Sequence, residues 1–143
     1  MIVRGICTLR PGIAGVSDNI TVRSIVGRFL EHHRLFYFRS GGNEKIFLSS
    51  ADWMPRNLNE RVELMIPIED KRHKARIKGI LDLYLVDTLK AHLMRADGSY
   101  YKVSNIEGPL SAQEELMEAA NTQDSREQMT VIERFKPMFK MKE

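Results

Sequence analysis

Arg34-Leu35-Phe36-Tyr37-Phe38-Arg39 and Lys45-Ile46-Phe47-Leu48-Ser49-Ser50, joined by Ser40-Gly41-Gly42-Asn43-Glu44, read as two strands and a turn. Aromatic and branched side chains suit a pleated, half-buried surface, and the paired glycines supply the positive φ of a tight hairpin. On the downstream side, residues 61–68 predict a further strand, closed by Pro67 and the acidic pair Glu69-Asp70. On the upstream side, residues 2–9 predict a short buried strand ended by Arg10-Pro11-Gly12. Gly12, Gly15 and Ser17-Asp18-Asn19 mark a loop at that strand's end, where chemistry is often carried. Residues 20–30 are ambiguous: Ile20 and Val22 alternate, whereas Ile25, Val26, Phe29 and Leu30 space like a short helix.

Beyond the hairpin, Asp70 is the expected N-cap of a long helix over 70–95. Ile77, Ile80, Leu81, Tyr84, Leu85, Leu89 and Leu93 recur there at three- and four-residue spacing and make one apolar face. Asp97-Gly98 ends this helix, and His73 and His92 lie on its surface. Residues 100–103 predict a short strand. Ser111 caps a second helix over 112–121, and Glu114 completes a capping box. These elements predict an α/β fold with a mixed sheet in a layered α/β/α arrangement. Residues 1–124 form the expected domain, and 125–143 a loosely ordered tail. A strand as apolar as 2–9 belongs inside a sheet. No βα unit precedes it, so the domain is expected to be incomplete at its N-terminus, with an open edge that favours self-association.

Composition narrows the function classes. The 143 residues are 43% hydrophobic and 29% charged, which fits a globular chain and excludes a disordered one. No apolar run approaches the roughly 20 residues of a membrane helix, and residues 1–7 lack the pattern of a signal peptide. The lone cysteine, Cys7, excludes an internal disulfide framework and a cysteine-based zinc cluster. It is expected to be a buried small hydrophobe in a reducing, cytosolic compartment. Net charge is +3 and unevenly spread: residues 1–62 carry nine basic against five acidic side chains, a local +4. Eight of those nine are arginines, whose planar forks match phosphate oxygens. That bias suits an anionic partner and equally suits a solvated surface.

Two clusters could carry chemistry. In Glu31-His32-His33-Arg34, a histidine at a strand entrance beside an arginine could move a proton at a phosphate, or simply be exposed. Ser49-Ser50-Ala51-Asp52-Trp53-Met54-Pro55-Arg56-Asn57 could form the polar floor of an anion pocket. Ordinary turn chemistry explains it as well, with Asp52 bonding its own backbone and Trp53 plugging the core. The chain has no Gly-x-x-x-x-Gly-Lys loop, Gly-x-Gly-x-x-Gly, His-Glu-x-x-His or serine elbow.

Several stretches nonetheless resemble the last domain of the polyphosphate kinase family, in the same order. They are Ile2-Val3-Arg4-Gly5-Ile6-Cys7-Thr8-Leu9-Arg10-Pro11-Gly12, Gly15-Val16-Ser17-Asp18-Asn19-Ile20, Ser24-Ile25-Val26-Gly27-Arg28-Phe29-Leu30-Glu31-His32 and the 49–57 segment. The match runs from residue 2 to about 95, and Ser111-Ala112-Gln113-Glu114-Glu115-Leu116-Met117 is similar too. The resemblance implies reversible transfer of the terminal phosphate between ATP (leaving ADP) and inorganic polyphosphate, with Mg2+. It also implies a phospholipase D-like fold, two such domains each giving a histidine to a shared site. The phosphorylated histidine and the metal-associated arginines belong to the preceding domain, so no metal ligand is expected here and this chain alone is expected to be inactive. Arg4 and His32 match the family's nucleotide-site residues. Arg4 would grip ATP phosphates, and His32 would act catalytically on the phosphoryl group or leaving oxygen.

Arg28, Arg34, Arg56 and Asn57 are read as second-tier phosphate contacts. The expected partners are ATP, polyphosphate, the other domains of the kinase and further copies of it, with no specific nucleic acid. The expected location is the cytoplasm, extending to the periphery of the inner membrane. A phospholipase D motif pairs His-x-Lys with a later Asp, whereas here His32-x-Arg34 lacks an Asp at that spacing. The alternatives are a homodimeric phosphodiesterase or nuclease of that class and a non-catalytic polyanion-binding module.

Overall fold

The computed structural model describes residues 1–103 and 108–121. The expected tail at 125–143 lies outside the described residues. In chain order the elements are β1 (Arg23–Ile25), β2 (Arg34–Ser40), β3 (Asn43–Ser49), α1 (Pro55–Asn59), β4 (Met65–Ile68), α2 (Lys71–Val86), β5 (Ala91–Met94), β6 (Tyr100–Lys102) and α3 (Ala112–Asn121). They divide between two compact units. One comprises Met1–Leu30 and Ile80 onward; the other is Glu31–Gly79.

The Glu31–Gly79 unit is built on the hairpin. Ser40 faces Asn43, leaving Gly41 and Gly42 as a two-residue loop at φ 55° and 83°. Positive φ at both central residues is the type I′ geometry, whose twist matches that of the flanking strands. β4 then pairs antiparallel with β3, giving the sheet order β2-β3-β4. The strand is shorter than the predicted 61–68, and Pro67 sits on the edge strand, where a missing N–H donor is tolerated. Ser50 extends the contact without a ladder: its N–H donates to Leu64 O at 3.0 Å, and its Oγ accepts the Leu64 N–H at 3.0 Å. Ile46 is the best-buried apolar side chain of this unit, at 1% exposure. Asp70 caps α2 as expected, accepting the N–H groups of Arg72 and His73 at 2.8 and 3.1 Å.

In the other unit β5 lies between β1 and β6, antiparallel to both. Ile25, Leu83, Tyr84, Ala91, Leu110 and Ala112 form its core. The predicted helix over 70–95 ends nine residues early, at Val86. Asp87 is fully buried, and its carboxylate accepts the N–H groups of Lys90, Ala91 and Ala112 at 2.7, 2.9 and 2.8 Å. An aspartate that binds backbone N–H groups ahead of it competes with the next helical turn. His92 therefore stands on a strand, half-buried, with Nδ1 3.1 Å from Lys90 O. Asp97-Gly98 is the turn between β5 and β6, with Gly98 at φ 87°. Ser111 begins α3 as expected, its Oγ accepting the Glu114 N–H at 3.4 Å.

The predicted buried strand at 2–9 is corrected to one parallel bridge, Ile2 to Arg23. Gly5 takes φ 113°, outside the β region of other residues, and Ile6 beyond it is 97% exposed. The expected open edge is accordingly absent there, and Cys7 is half-buried rather than buried. The loop after it is real: Ser17 Oγ accepts the Ile13 N–H at 2.9 Å and donates to Arg10 O at 2.6 Å. In the ambiguous 20–30 segment, β1 is the regular element. Phe29 is then held by a side chain: its N–H donates to Gln113 Oε1 at 3.0 Å, and Gln113 Nε2 donates to Phe29 O at 2.8 Å. A Cβ at Gly27 would collide with that same Gln113 amide. The α/β class stands, with the strands shared between two small sheets.

Candidate functional site

The polar constellation read from the sequence assembles in the Glu31–Gly79 unit. Arg34 opens β2 opposite Ser49, so the turn leaving β3 brings Asp52 back to it. Arg34 Nε and Nη2 both donate to Asp52 Oδ1, at 2.8 and 2.7 Å, and Nη1 donates to the His32 carbonyl at 2.8 Å. These three bonds leave two of a guanidinium's five N–H donors for other acceptors. His32 itself is exposed. Asp52 is thus an ion-pair partner, where sequence reasoning offered a turn bonding its own backbone. Trp53 is 73% exposed rather than a core plug, and stacks on Phe36 with ring centroids 5.8 Å apart.

Asn57 on α1 is 4% exposed, and its Nδ2 donates to Glu63 Oε1 at 2.8 Å. The Ser50 hydroxyl donates to the other oxygen of Glu63. The Ser50 bond first, then the Asn57 bond, and then the charges of Arg61 and Arg34, hold the Glu63 carboxyl below its usual range. A depressed folded-state value stabilises the fold above the ordinary glutamate value of 4.5, and that contribution vanishes as pH falls through the lower folded value. Glu63→Gln should therefore lower the urea midpoint at pH 7 and leave it unchanged at pH 2. An equal shift at both pH values would contradict this.

Beside Glu63 runs an open groove of about 360 Å³, lined by Phe36, Trp53, Leu58, Arg61, Leu64 and Met65 among others. One guanidinium amid apolar walls is poorly suited to a polyanion. Arg56 is exposed on α1. The remaining sequence candidates belong to the other unit. Arg4 is exposed, and Arg28 is exposed with its guanidinium 5.4 Å from the Phe29 ring centroid. Among the described residues no three His, Cys, Asp or Glu side chains cluster as a metal site requires. No described helix is long and apolar enough to cross a membrane.

Comparisons with known proteins agree with one another. The family model described as polyphosphate kinase C-terminal domain 2 matches residues 1–113. The chain is 53% identical over 120 residues to a polyphosphate kinase of Pseudomonas aeruginosa, covering 82% of this chain and 17% of that protein. It is 58% identical over 105 residues to one of Bacillus anthracis, covering 73% of this chain and 15% of that protein. The chain thus spans about a sixth of the curated relatives it matches. The crystal structure of polyphosphate kinase from Porphyromonas gingivalis superposes with a TM-score of 0.80 at 37% identity, over 90% of this chain and 19% of that one. That likeness bears out the phospholipase D-like α/β fold. A family model filling most of the chain, relatives above half identity and a shared backbone leave one assignment: the chain belongs to the polyphosphate kinase C-terminal domain 2 family.

Proposed function

We propose that this chain is the nucleotide- and phosphate-binding part of a polyphosphate kinase, which reversibly passes the terminal phosphate of ATP to inorganic polyphosphate. The observation that carries this reading is the 37% identical, 0.80 TM-score match across 90% of the chain. Two exposed heads supply the chemistry. Arg4 grips ATP phosphates through its planar fork and stabilises charge as the phosphoryl group moves. His32 acts on that group or on the leaving oxygen. Arg28 and Arg56, both exposed, are second-tier contacts, and Arg34 contributes the donors that Asp52 and His32 leave over. The buried Asn57 serves as a support for Glu63 instead of a phosphate contact.

ATP and ADP are then the exchanging nucleotides, Mg2+ is the counter-ion of the phosphates, and its ligands and the phosphorylated histidine come from the preceding domain. The other domains of the kinase are the immediate partners. The exposed edge residues Met65 and Ile66 of β4, 51% and 50% exposed, support a homo-oligomer. The cytoplasm, with contact at the inner membrane's inner face, is the location this reading takes. A phosphodiesterase is less favoured because Arg34, standing where that class has lysine, is tied to Asp52.

The test is phosphoryl transfer by the purified 143 residues, alone and mixed with the rest of the kinase. Alone, the chain should lengthen no polyphosphate from ATP; mixed, it should restore transfer. Chain growth by the isolated protein, or hydrolysis of a chromogenic phosphodiester that His32→Ala abolishes, would overturn the reading.

A further inference from the structure

We propose that Asp52 is a positioning residue for His32, acting through Arg34. The inference rests on the reading of His32 as the group that meets the phosphoryl oxygen. The ladder of β2 with β3 begins only at Arg34 opposite Ser49, so the main chain at His32 lies beyond it. What reaches back is the Arg34 side chain, whose Nη1 donates to the His32 carbonyl at 2.8 Å. A free arginine side chain has many rotamers, and this one is fixed by two bonds from Nε and Nη2 to a single carboxylate oxygen, at 2.8 and 2.7 Å. With Arg34 only 24% exposed, the guanidinium is partly desolvated, which strengthens those bonds.

Asp52 is itself held in place. Its carbonyl accepts the Met54 N–H at 2.8 Å, and the preceding residue, Ala51, is 8% exposed with its N–H on Ser49 Oγ at 3.1 Å. A chain of fixed contacts therefore runs from the end of β3, through a carboxylate and a guanidinium, to the backbone that carries the imidazole. Lysine at 34 could not reproduce it, because one ammonium cannot span two acceptors with the geometry of a planar fork. Replacing the carboxylate at 52 by an amide weakens both bonds of the fork, from charge-assisted to neutral, and lets His32 drift. Misplacing a reacting group by about 1 Å costs on the order of a hundredfold in rate.

The experiment is a double-mutant cycle in a complete polyphosphate kinase carrying this segment. Asp52→Asn should lower kcat about 10- to 100-fold while KM for ATP stays within about twofold, because transition-state contact is lost and ground-state binding kept. In a His32→Ala background the same substitution should change kcat by less than about twofold, since there is no imidazole left to position. Losses that multiply in the two backgrounds, or an Asp52→Asn enzyme with unchanged kcat, would overturn the proposal. If His32→Ala alone leaves kcat intact, it is the reading of His32 that fails, and the cycle shows this separately. Should Asp52→Asn fail to fold by circular dichroism, Asp52→Ser takes its place in the cycle with the same expected pattern.

Discussion

Asp87→Ala is expected to destabilise the chain by about 3–5 kcal/mol, because several backbone N–H groups lose a charged acceptor at once. The carboxylate is fully buried and satisfies three backbone N–H groups: two where β5 begins and one at the first residue of α3. Each orphaned donor costs roughly 1–3 kcal/mol where it is buried, as the Ala91 and Ala112 N–H groups are. The contact at Ala112 has an added electrostatic part, because an anion there faces the positive end of the α3 dipole. Asp87→Asn keeps one oxygen but turns an NH2 toward the Ala112 N–H, so a smaller loss of about 2 kcal/mol is expected. Urea unfolding of the 143-residue chain, followed by circular dichroism, measures both. An alanine variant within about 1 kcal/mol of the parent would show that the carboxylate does not organise this unit.

Arg4→Ala in the complete kinase is expected to lower kcat/KM by about a hundred- to a thousandfold, as when a charged donor to a reacting phosphate is removed. Arg39→Ala is the matched control: it is also an exposed arginine, on β2 opposite Glu44. It should stay within about twofold of the parent, as an ordinary surface charge does. Steady-state kinetics with ATP and a polyphosphate primer separates the two. Equal losses would mean that both act through general electrostatic attraction, and Arg4 would lose its assigned role.

Where local chemistry and tertiary structure agreed, the sequence was readable. Gly41-Gly42 between two aromatic runs left one economical solution, the hairpin, and Asp70 and Ser111 announced the starts of α2 and α3 through their capping chemistry. Reading failed where pairing overrode pattern. Between Asp70 and Ala96 there is no glycine or proline except Gly79, so apolar periodicity ran unbroken through Leu89 and Leu93 into what is really β5. The readable signal was Asp87 itself, an acid interrupting an apolar run. Residues 2–9 failed in the opposite sense, because an apolar run promised a strand where Gly5, at φ 113°, turns the chain away.

The site divides in the same way. Arg4 was proposed from resemblance alone, whereas His32 was one of two histidines that the 31–34 cluster already offered. The Arg34–Asp52 pair, by contrast, could have been found: folding the hairpin about Gly41-Gly42 sets Arg34 against Ser49, three residues short of an aspartate. The bond from Asn57 to Glu63 had no such marker, since the end of α1 and the irregular residues 60–62 separate them.

Gln113 behaves toward Phe29 as a strand one residue long, offering a donor and an acceptor in one plane. Among uncharged side chains, only glutamine and asparagine carry that pair on a single carbon, as a peptide does, and asparagine is a methylene shorter. The space the amide occupies exists because position 27 has no Cβ. Positions 27 and 113, far apart in the chain, are thus free to diverge only together: a descendant that gains a side chain at the first must surrender the amide at the second and find another tether for the segment leading to the histidine.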